Sequence, residues 1–185
     1  MADGGVINLA DRKADRLEHE CARLRASNEA LVELAKANLA AQAQTHSAVL
    51  GVLGADSLLT LDKALAGPVA TSLGVDLVRV FVEGQTPLPN AQSIRACAPG
   101  LADALLGGQA EWIGPLDTRF ADALYAPQTA RMRSEARVGL EMAGTRGVVC
   151  LASCDEALFT PGQAGDLLHF FARVLERQIS PWLAH

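Results

Sequence analysis

The residue whose type and position best suit chemistry is Arg79, a charged side chain inside a predicted strand. Residues 75–82 alternate so that Leu77, Arg79 and Phe81 share one face of this strand. A guanidinium on an apolar face is costly to bury unless a carboxylate, backbone carbonyls or a ligand satisfies it. The pattern therefore predicts either an anion-binding residue or an arginine that is paired with a protein carboxylate or reaches solvent. Glu135 or Glu141 could supply that carboxylate.

Further candidates lie in or next to the segment 84–134, which precedes a later strand. Trp112 could line a pocket mouth or pack in the core. Arg131, Arg133 and Arg137 either border an anionic ligand or form a solvated basic rim. We expect a small-molecule site between the sheet and the loops of 84–134, with five candidate ligand-binding residues: Arg79, Phe81, Trp112, Arg133 and Ser134.

Known catalytic motifs are missing from the sequence. It contains no phosphate-binding loop, dinucleotide fingerprint, His-Glu-x-x-His or Gly-x-Ser-x-Gly. The histidines are isolated, and the four cysteines lack the spacing of a disulfide framework or metal site, so we interpret them as reduced thiols. We therefore expect no enzyme activity, no catalytic residues, no metal and no cofactor.

Composition excludes several other classes of protein. The chain has 185 residues, of which 50% are hydrophobic, and a net charge of -5. This charge argues against a nucleic-acid partner or an anionic membrane surface. No apolar run reaches the roughly 18 residues of a membrane span. The first nine residues carry no basic segment of the kind found in secretory signals. We expect a cytoplasmic protein.

A heptad pattern marks the N-terminal helix. Leu17, Leu24 and Leu31 recur every seven residues, which places Cys21 and Asn28 at the a positions. An isolated Asn at an a position fixes the register of two-stranded coiled coils. The flanking residues agree, since Lys13 would face Glu18 of a second copy and Glu20 would face Arg25. The pattern predicts a parallel homodimer whose interface contains Leu17, Cys21, Leu24, Asn28 and Leu31. The alternative is a single amphipathic helix that packs on its own domain.

The other periodicities predict an α+β domain. We expect an N-terminal helix over residues 1–53 and a domain over 54–185, with an antiparallel sheet and helices on one of its faces. Pro68 is expected to kink or divide a helix over 57–73. A turn over 144–147 should join the last two strands as a hairpin. Thr160-Pro161-Gly162-Gln163 has the residue types of a helix start, so Thr160 is predicted to cap the last helix.

Several short motifs resemble those of the DUF484 family of bacterial proteins. They are Arg133-Ser134, Gly147 with Leu151-Ala152-Ser153-Cys154-Asp155, and Phe159-Thr160-Pro161-Gly162 with Gly165, Leu167-Leu168 and Trp182. Two positions depart from the usual pattern. Ala152-Ser153 stands where the family usually has Gly-Ser, and Thr160 stands where it usually has His. The resemblance implies a GAF-like fold and dimerisation, and it implies no reaction.

These observations lead to two expectations about function. The first is a GAF-like regulatory or sensory protein that dimerises and binds a small molecule. The second is a dimeric scaffold whose pocket is filled by its own side chains and which recruits a protein partner. A polar pocket would favour the sensor, and a filled core would favour the scaffold.

Overall fold

The computed structural model describes residues 9–84, 91–142, 144–161 and 165–183. Six α-helices and five strands occur in these ranges. The α-helices are α1 (Leu9–Leu53), α2 (Leu58–Ala64), α3 (Ala70–Leu73), α4 (Leu101–Leu106), α5 (Ala121–Tyr125) and α6 (Asp166–Leu183). The strands are β1 (Leu77–Glu83), β2 (Ile94–Cys97), β3 (Glu111–Pro115), β4 (Ser134–Met142) and β5 (Thr145–Ser153). The α+β class and the long N-terminal helix are confirmed.

The chain divides into two compact units, Met1–Ala40 and Ala41–His185. The end of α1 belongs to the second unit, because Ala48, Val49 and Val52 are buried in its core. In the first unit the leucines of the heptad are open to solvent. Leu17 and Leu24 are each 56% exposed and Leu31 is 61% exposed. Within the described residues, no helix combines the length and the apolar character that crossing a membrane requires.

The sheet is mixed, with the strand order β2-β1-β5-β4-β3. The pairs β1–β5, β4–β5 and β3–β4 are antiparallel as predicted, but β1 and β2 run parallel. The prediction of an entirely antiparallel sheet was therefore wrong for its β2 edge. The hairpin is also tighter than predicted, because Met142 already pairs with Thr145. Thr145, Arg146 and Gly147 belong to β5 and not to the turn.

Helices pack on both faces of the sheet, and not on one face as predicted. Val78, Val80 and Val82 of β1 enter a core with residues of α2 and α6. Phe81 of β1 enters a second core with residues of α4 and α5. We call the side that carries Phe81 the α5 face. Since neighbouring strand residues point to opposite sides, Arg79 shares this face with Phe81, as the alternation predicted.

Local signals account for the helix ends between residues 57 and 74. Ser57 caps α2 and exchanges hydrogen bonds with Thr60, which takes the place of the usual Glu in a capping box. Pro68 does divide the segment, because α2 and α3 are separated by a π-helical turn, Leu65–Val69. Gly74 ends α3 in the left-handed conformation at φ 68°.

The start of the last helix differs from the prediction. Helix α6 begins at Asp166, and the carbonyl of Gly165 accepts the first helical hydrogen bond, from His169, at 2.8 Å. Thr160 lies six residues before Asp166 and is therefore not its cap. Part of the predicted start, Gly162 and Gln163, lies outside the described residues.

Candidate functional site

A row of side chains crosses the sheet on the α5 face. Arg79 of β1 is paired with Cys150 of β5, Cys150 with Arg137 of β4, and Arg137 with Trp112 of β3. Directly paired residues on neighbouring strands share one face. The register therefore places two guanidinium groups on one face, with the thiol of Cys150 between their strands. Both arginines are buried, with 5% of Arg79 and 1% of Arg137 exposed.

Arg137 is fully supplied with protein partners. Its guanidinium binds the carboxylate of Glu135 and donates to the carbonyl of Leu105 at 3.1 Å. Its Nη1 lies 3.7 Å from a carboxylate oxygen of Asp117. The guanidinium carbon lies 4.9 Å from the centre of the Trp112 ring. The interpretation of Arg137 as part of a solvated rim was therefore wrong.

Glu135 is the centre of this network. It is fully buried, its carboxylate accepts from the phenol of Tyr125, and it also accepts from the amide of Asp117 at 2.7 Å. Burial alone would lower the pKa of Arg137, but its bonds to Glu135 outweigh burial and raise it. Burial, and then the nearby thiol and carboxylate, raises the pKa of Tyr125 well above its ordinary value. The network therefore holds a charged ion pair beside a neutral phenol.

Cys150 is not a reactive thiol in this environment. Its side chain is completely buried, and burial raises its pKa far above that of a free cysteine. Reactive cysteines instead have a lowered pKa and are accessible to solvent. Cys150 thus acts as a small packing residue on the α5 face.

Arg79 contrasts with Arg137. Its Nε is buried without a hydrogen-bond partner, and its guanidinium forms no hydrogen bond or ion pair with any described residue. Burial, and then the positive charge of Arg95, lowers the pKa of Arg79. The structure therefore pairs Arg79 with neither Glu135 nor Glu141, and its Nε is shut off from solvent, whereas its two Nη atoms are not.

Three carboxylates on the elements around Arg79 form hydrogen bonds to other groups. Asp62 of α2 is buried and accepts from the amides of Gln92, Ser93 and Ile94 at 3.0, 2.7 and 2.8 Å. Glu83, at the end of β1, accepts from the amides of Gly100 and Ala102, both at 3.0 Å. Glu135 is bound by Arg137. Asp62 and Glu83 thus bind the backbone of neighbouring segments, and Glu135 binds another arginine.

Ser93 is a second unsatisfied group in the same region. It is completely buried, and its hydroxyl oxygen has no hydrogen-bond partner among the residues that the structure describes. Its carbonyl accepts from the amide of Val80, the residue after Arg79, at 2.8 Å. Ser93 therefore lies next to Arg79 on the neighbouring chain segment. Sequence reasoning missed this residue, because nothing in its local pattern distinguishes it from an ordinary loop serine.

The structure separates the predicted ligand-binding residues into two groups. Arg79 and Phe81 share the α5 face, and Trp112 lies on it against Arg137. Arg133 is exposed and donates to the carbonyls of Ala130 and Met132, both at 2.8 Å. Ser134 is buried and donates to the carbonyl of Asp155 at 2.5 Å. Strand alternation places Ser134 on the face opposite Arg137, so the structure brings neither Arg133 nor Ser134 to Arg79.

The second unit also contains an apolar cavity of about 140 Å³ on the other side of the sheet. Its walls are mostly aliphatic and aromatic side chains, including Leu73, Leu151 and Phe159. Its polar side chains are Gln44 and Thr45 from α1, and Thr45 already donates to the carbonyl of Ala41 at 2.9 Å. No group of acidic, histidine and cysteine side chains within the described ranges could hold a metal ion.

Comparison with known proteins agrees with the motifs noted in the sequence. The family model described as "Protein of unknown function, DUF484" matches residues 1–184, nearly the whole chain. The chain belongs to the DUF484 family. No curated protein matches the sequence. Membership confirms the resemblance and carries no activity with it, so function has to be argued from the geometry of this DUF484 protein.

Proposed function

We propose that this DUF484 protein is a non-enzymatic, GAF-like regulatory or sensory protein of the cytoplasm that dimerises through α1 and binds a small molecule on the α5 face. The observation that carries the proposal is the buried residue Arg79, whose Nε is closed off from solvent and whose guanidinium has no partner among the described residues. Buried polar groups are almost always hydrogen-bonded, and an unsatisfied one has to be explained. A ligand that binds Arg79 would supply the missing hydrogen bonds.

Dimerisation is supported by the exposed heptad leucines of α1. Apolar side chains at a and d positions bury themselves against a second helix in coiled coils. Leu17, Leu24 and Leu31 are all more than half exposed in the single chain. A ligand could act on such a dimer by favouring one of two packings of the helix pair.

A direct test of the dimer uses the full-length chain. Leu24→Glu places a charge at a d position and should convert a dimer into a monomer in light scattering. Ala26→Glu, at an outward f position of the same helix, is the matched control and should remain dimeric. If Leu24→Glu stays fully dimeric, α1 is not the interface.

Asn28→Leu should raise the melting temperature and broaden the distribution of oligomers, since a buried Asn favours register over stability.

A scaffold without a ligand is the second candidate, and one observation favours it. The α5 face is already well filled, because Leu105, Leu124, Tyr125 and Met132 pack against it and Arg137 is neutralised by Glu135. In that case the dimer would serve to recruit a protein partner. Native mass spectrometry of the purified protein separates the candidates, since a sensor should show a dimer mass with a retained or added small molecule.

A further inference from the structure

Arg79 lies among charged side chains but is bonded to none of those that the structure describes. Arg95 on β2 is close enough to lower the pKa of Arg79 through charge repulsion, after the larger effect of burial. In the register of the two strands Arg95 is paired with Phe81, which belongs to the α5 face. Asp62 acts on the pKa of Arg79 in the opposite direction, through charge attraction. No described carboxylate, however, lies within ion-pair or hydrogen-bond distance of the Arg79 guanidinium. Arg79 therefore has charged neighbours of both signs and no bonded anion.

The two unsatisfied groups of this region are both able to donate hydrogen bonds. Arg79 offers the N–H groups of its guanidinium, and Ser93 offers a hydroxyl hydrogen. They come from adjacent chain segments, which are joined by the hydrogen bond from the Val80 amide to the Ser93 carbonyl. A ligand that satisfies both needs acceptor oxygens, and the two oxygens of a planar oxyanion match the fork of a guanidinium.

We propose that the ligand carries an oxyanion, a carboxylate or phosphate group, which Arg79 binds through its guanidinium and Ser93 binds through its hydroxyl. This inference rests on the proposed ligand-binding function and names the class of ligand. Guanidinium groups match the planar arrangement of such oxygens and form two parallel hydrogen bonds with them. A neutral hydroxylated compound would lack the paired charged oxygens that bind a guanidinium most strongly, and a cation would be repelled by Arg79 and Arg95.

A variant of Arg79 separates this role from a structural one. Removing an arginine that belongs to a buried ion pair is strongly destabilising, whereas removing an unpaired buried charge relieves a cost. Arg79→Met keeps the length and apolar character of the side chain. In chloride buffer it should melt about 2–4 °C above the wild type, a shift that corresponds to about 1 kcal/mol in a protein of this size. Arg146→Met is the control, since Arg146 is exposed and bonded to Asp103 at 2.6 Å.

The binding experiment follows the melting temperature of the full-length protein in inorganic phosphate, acetate and succinate, at an ionic strength matched with sodium chloride. Phosphate stabilises many proteins without binding to a site, so the response of Arg79→Met sets the baseline. We expect at least one oxyanion to raise the melting temperature of the wild type and of Arg146→Met well above that baseline. Ser93→Ala should weaken the apparent affinity about fivefold, which is the value of one hydrogen bond. Phosphate and the carboxylates are separate arms, so the better probe identifies the oxyanion.

Nuclear magnetic resonance of the wild type gives a readout that needs no variant to fold. The Nε–H signal of Arg79 should shift with phosphate or a carboxylate and stay unchanged with chloride. Equal stabilisation of wild type and Arg79→Met, together with an unmoved signal, would overturn the oxyanion site. Neutral compounds, among them acetamide and succinamide, are screened in parallel. A neutral compound that stabilises both the wild type and Arg79→Met would support the sensory function and contradict the proposal that the ligand is an oxyanion. No response to any compound would overturn both proposals.

Discussion

Glu135 and Arg137, two residues apart on β4, form an ion pair that is almost completely removed from solvent. Breaking such a pair by removing one partner costs about 3–5 kcal/mol, because the other charge is left buried. We expect Glu135→Ala to lower the free energy of unfolding by this amount in urea titrations. Tyr125 would lose the acceptor of its hydroxyl in the same variant.

Two further variants test whether the buried charge causes this loss. The double variant Glu135→Leu/Arg137→Met removes both charges and should recover most of the lost stability. Asp103→Ala breaks the exposed pair with Arg146 and should cost about 0–1 kcal/mol. If Glu135→Ala costs no more than Asp103→Ala, the Glu135–Arg137 pair is solvated in solution.

The same pair shows what strand alternation can predict and what it cannot. The alternation of residues 75–82 correctly placed Arg79 and Phe81 on one face, because successive strand residues point to opposite sides. This alternation does not predict which residue pairs with a buried charge, since the pairing depends on the register between strands. Glu135, one of the two carboxylates that the sequence offers to Arg79, binds Arg137 instead. Opposite charges at positions two apart on one strand were the available signal.

Two other differences between the sequence predictions and the structure arise from tertiary contacts, which local sequence patterns do not encode. The residues Thr160 to Gln163 have the types of a helix start, yet α6 begins at Asp166. Local capping preferences are worth only about 1 kcal/mol, so tertiary packing can move a helix start. The direction of β2 was likewise not encoded in its own residues, and its pairing with β1 decides it. Ser93 became notable only because folding buried its hydroxyl without a partner.

Any side chain at Gly147 is predicted to destabilise the protein, because this position lies against the backbone of the neighbouring strand β1. A Cβ at this position would collide with the backbone oxygen of Phe81 and would lie 2.7 Å from the methyl carbon of Met142. The backbone of β1 cannot move aside without breaking its ladder with β5. Gly147→Ala should therefore lower the free energy of unfolding by about 1–3 kcal/mol.

A second glycine provides the control for this substitution. A Cβ placed at Gly67, in the π-helical turn, meets no described atom within 4 Å. Gly67→Ala should leave stability unchanged or raise it by about 0.4–1 kcal/mol, because alanine reduces the freedom of the unfolded chain. Comparable losses in the two variants would show that backbone freedom, rather than the collision at Gly147, decides the result.

Asp76 should contribute to the stability of the protein in a pH-dependent way. Its carboxylate accepts from the amide of Cys154 at 2.7 Å, and this bond lowers the pKa of Asp76. A carboxyl with a lowered folded pKa stabilises the fold fully above its unfolded pKa of about 3.9. This stabilisation is lost as the pH falls below that value through the lowered pKa of the folded state.

The variant Asp76→Asn tests this pH window. At pH 7 it should be less stable than the wild type in urea titrations, because the charge-assisted hydrogen bond is lost. The difference between the two proteins should shrink as the pH is lowered from about 4 towards 2. A difference that stays constant over this range would mean that Asp76 does not stay ionised below its ordinary pKa.

Asp62 links α2 to the segment that carries Ser93. Its buried carboxylate accepts three consecutive backbone amides, those of Gln92, Ser93 and Ile94. Asp62→Ala would leave these donors without a partner, at a cost of about 1–3 kcal/mol for each one that stays buried. We expect a large loss of stability and faster hydrogen exchange at the amides of Ser93 and Ile94. Asp56→Ala, which removes an exposed carboxylate bonded to Thr60 at 2.8 Å, is the control.

The milder variant Asp62→Asn connects this structural role to the proposed site. An amide oxygen still accepts one or two of the three bonds, so the protein should fold with a smaller loss of stability. Because the Ser93 hydroxyl depends on this segment for its position, the phosphate or carboxylate response of the wild type should weaken in Asp62→Asn. The response in Asp56→Asn should be unchanged. If Asp62→Asn folds and responds as strongly as the wild type, the position of Ser93 does not depend on Asp62, and the link between α2 and the site fails.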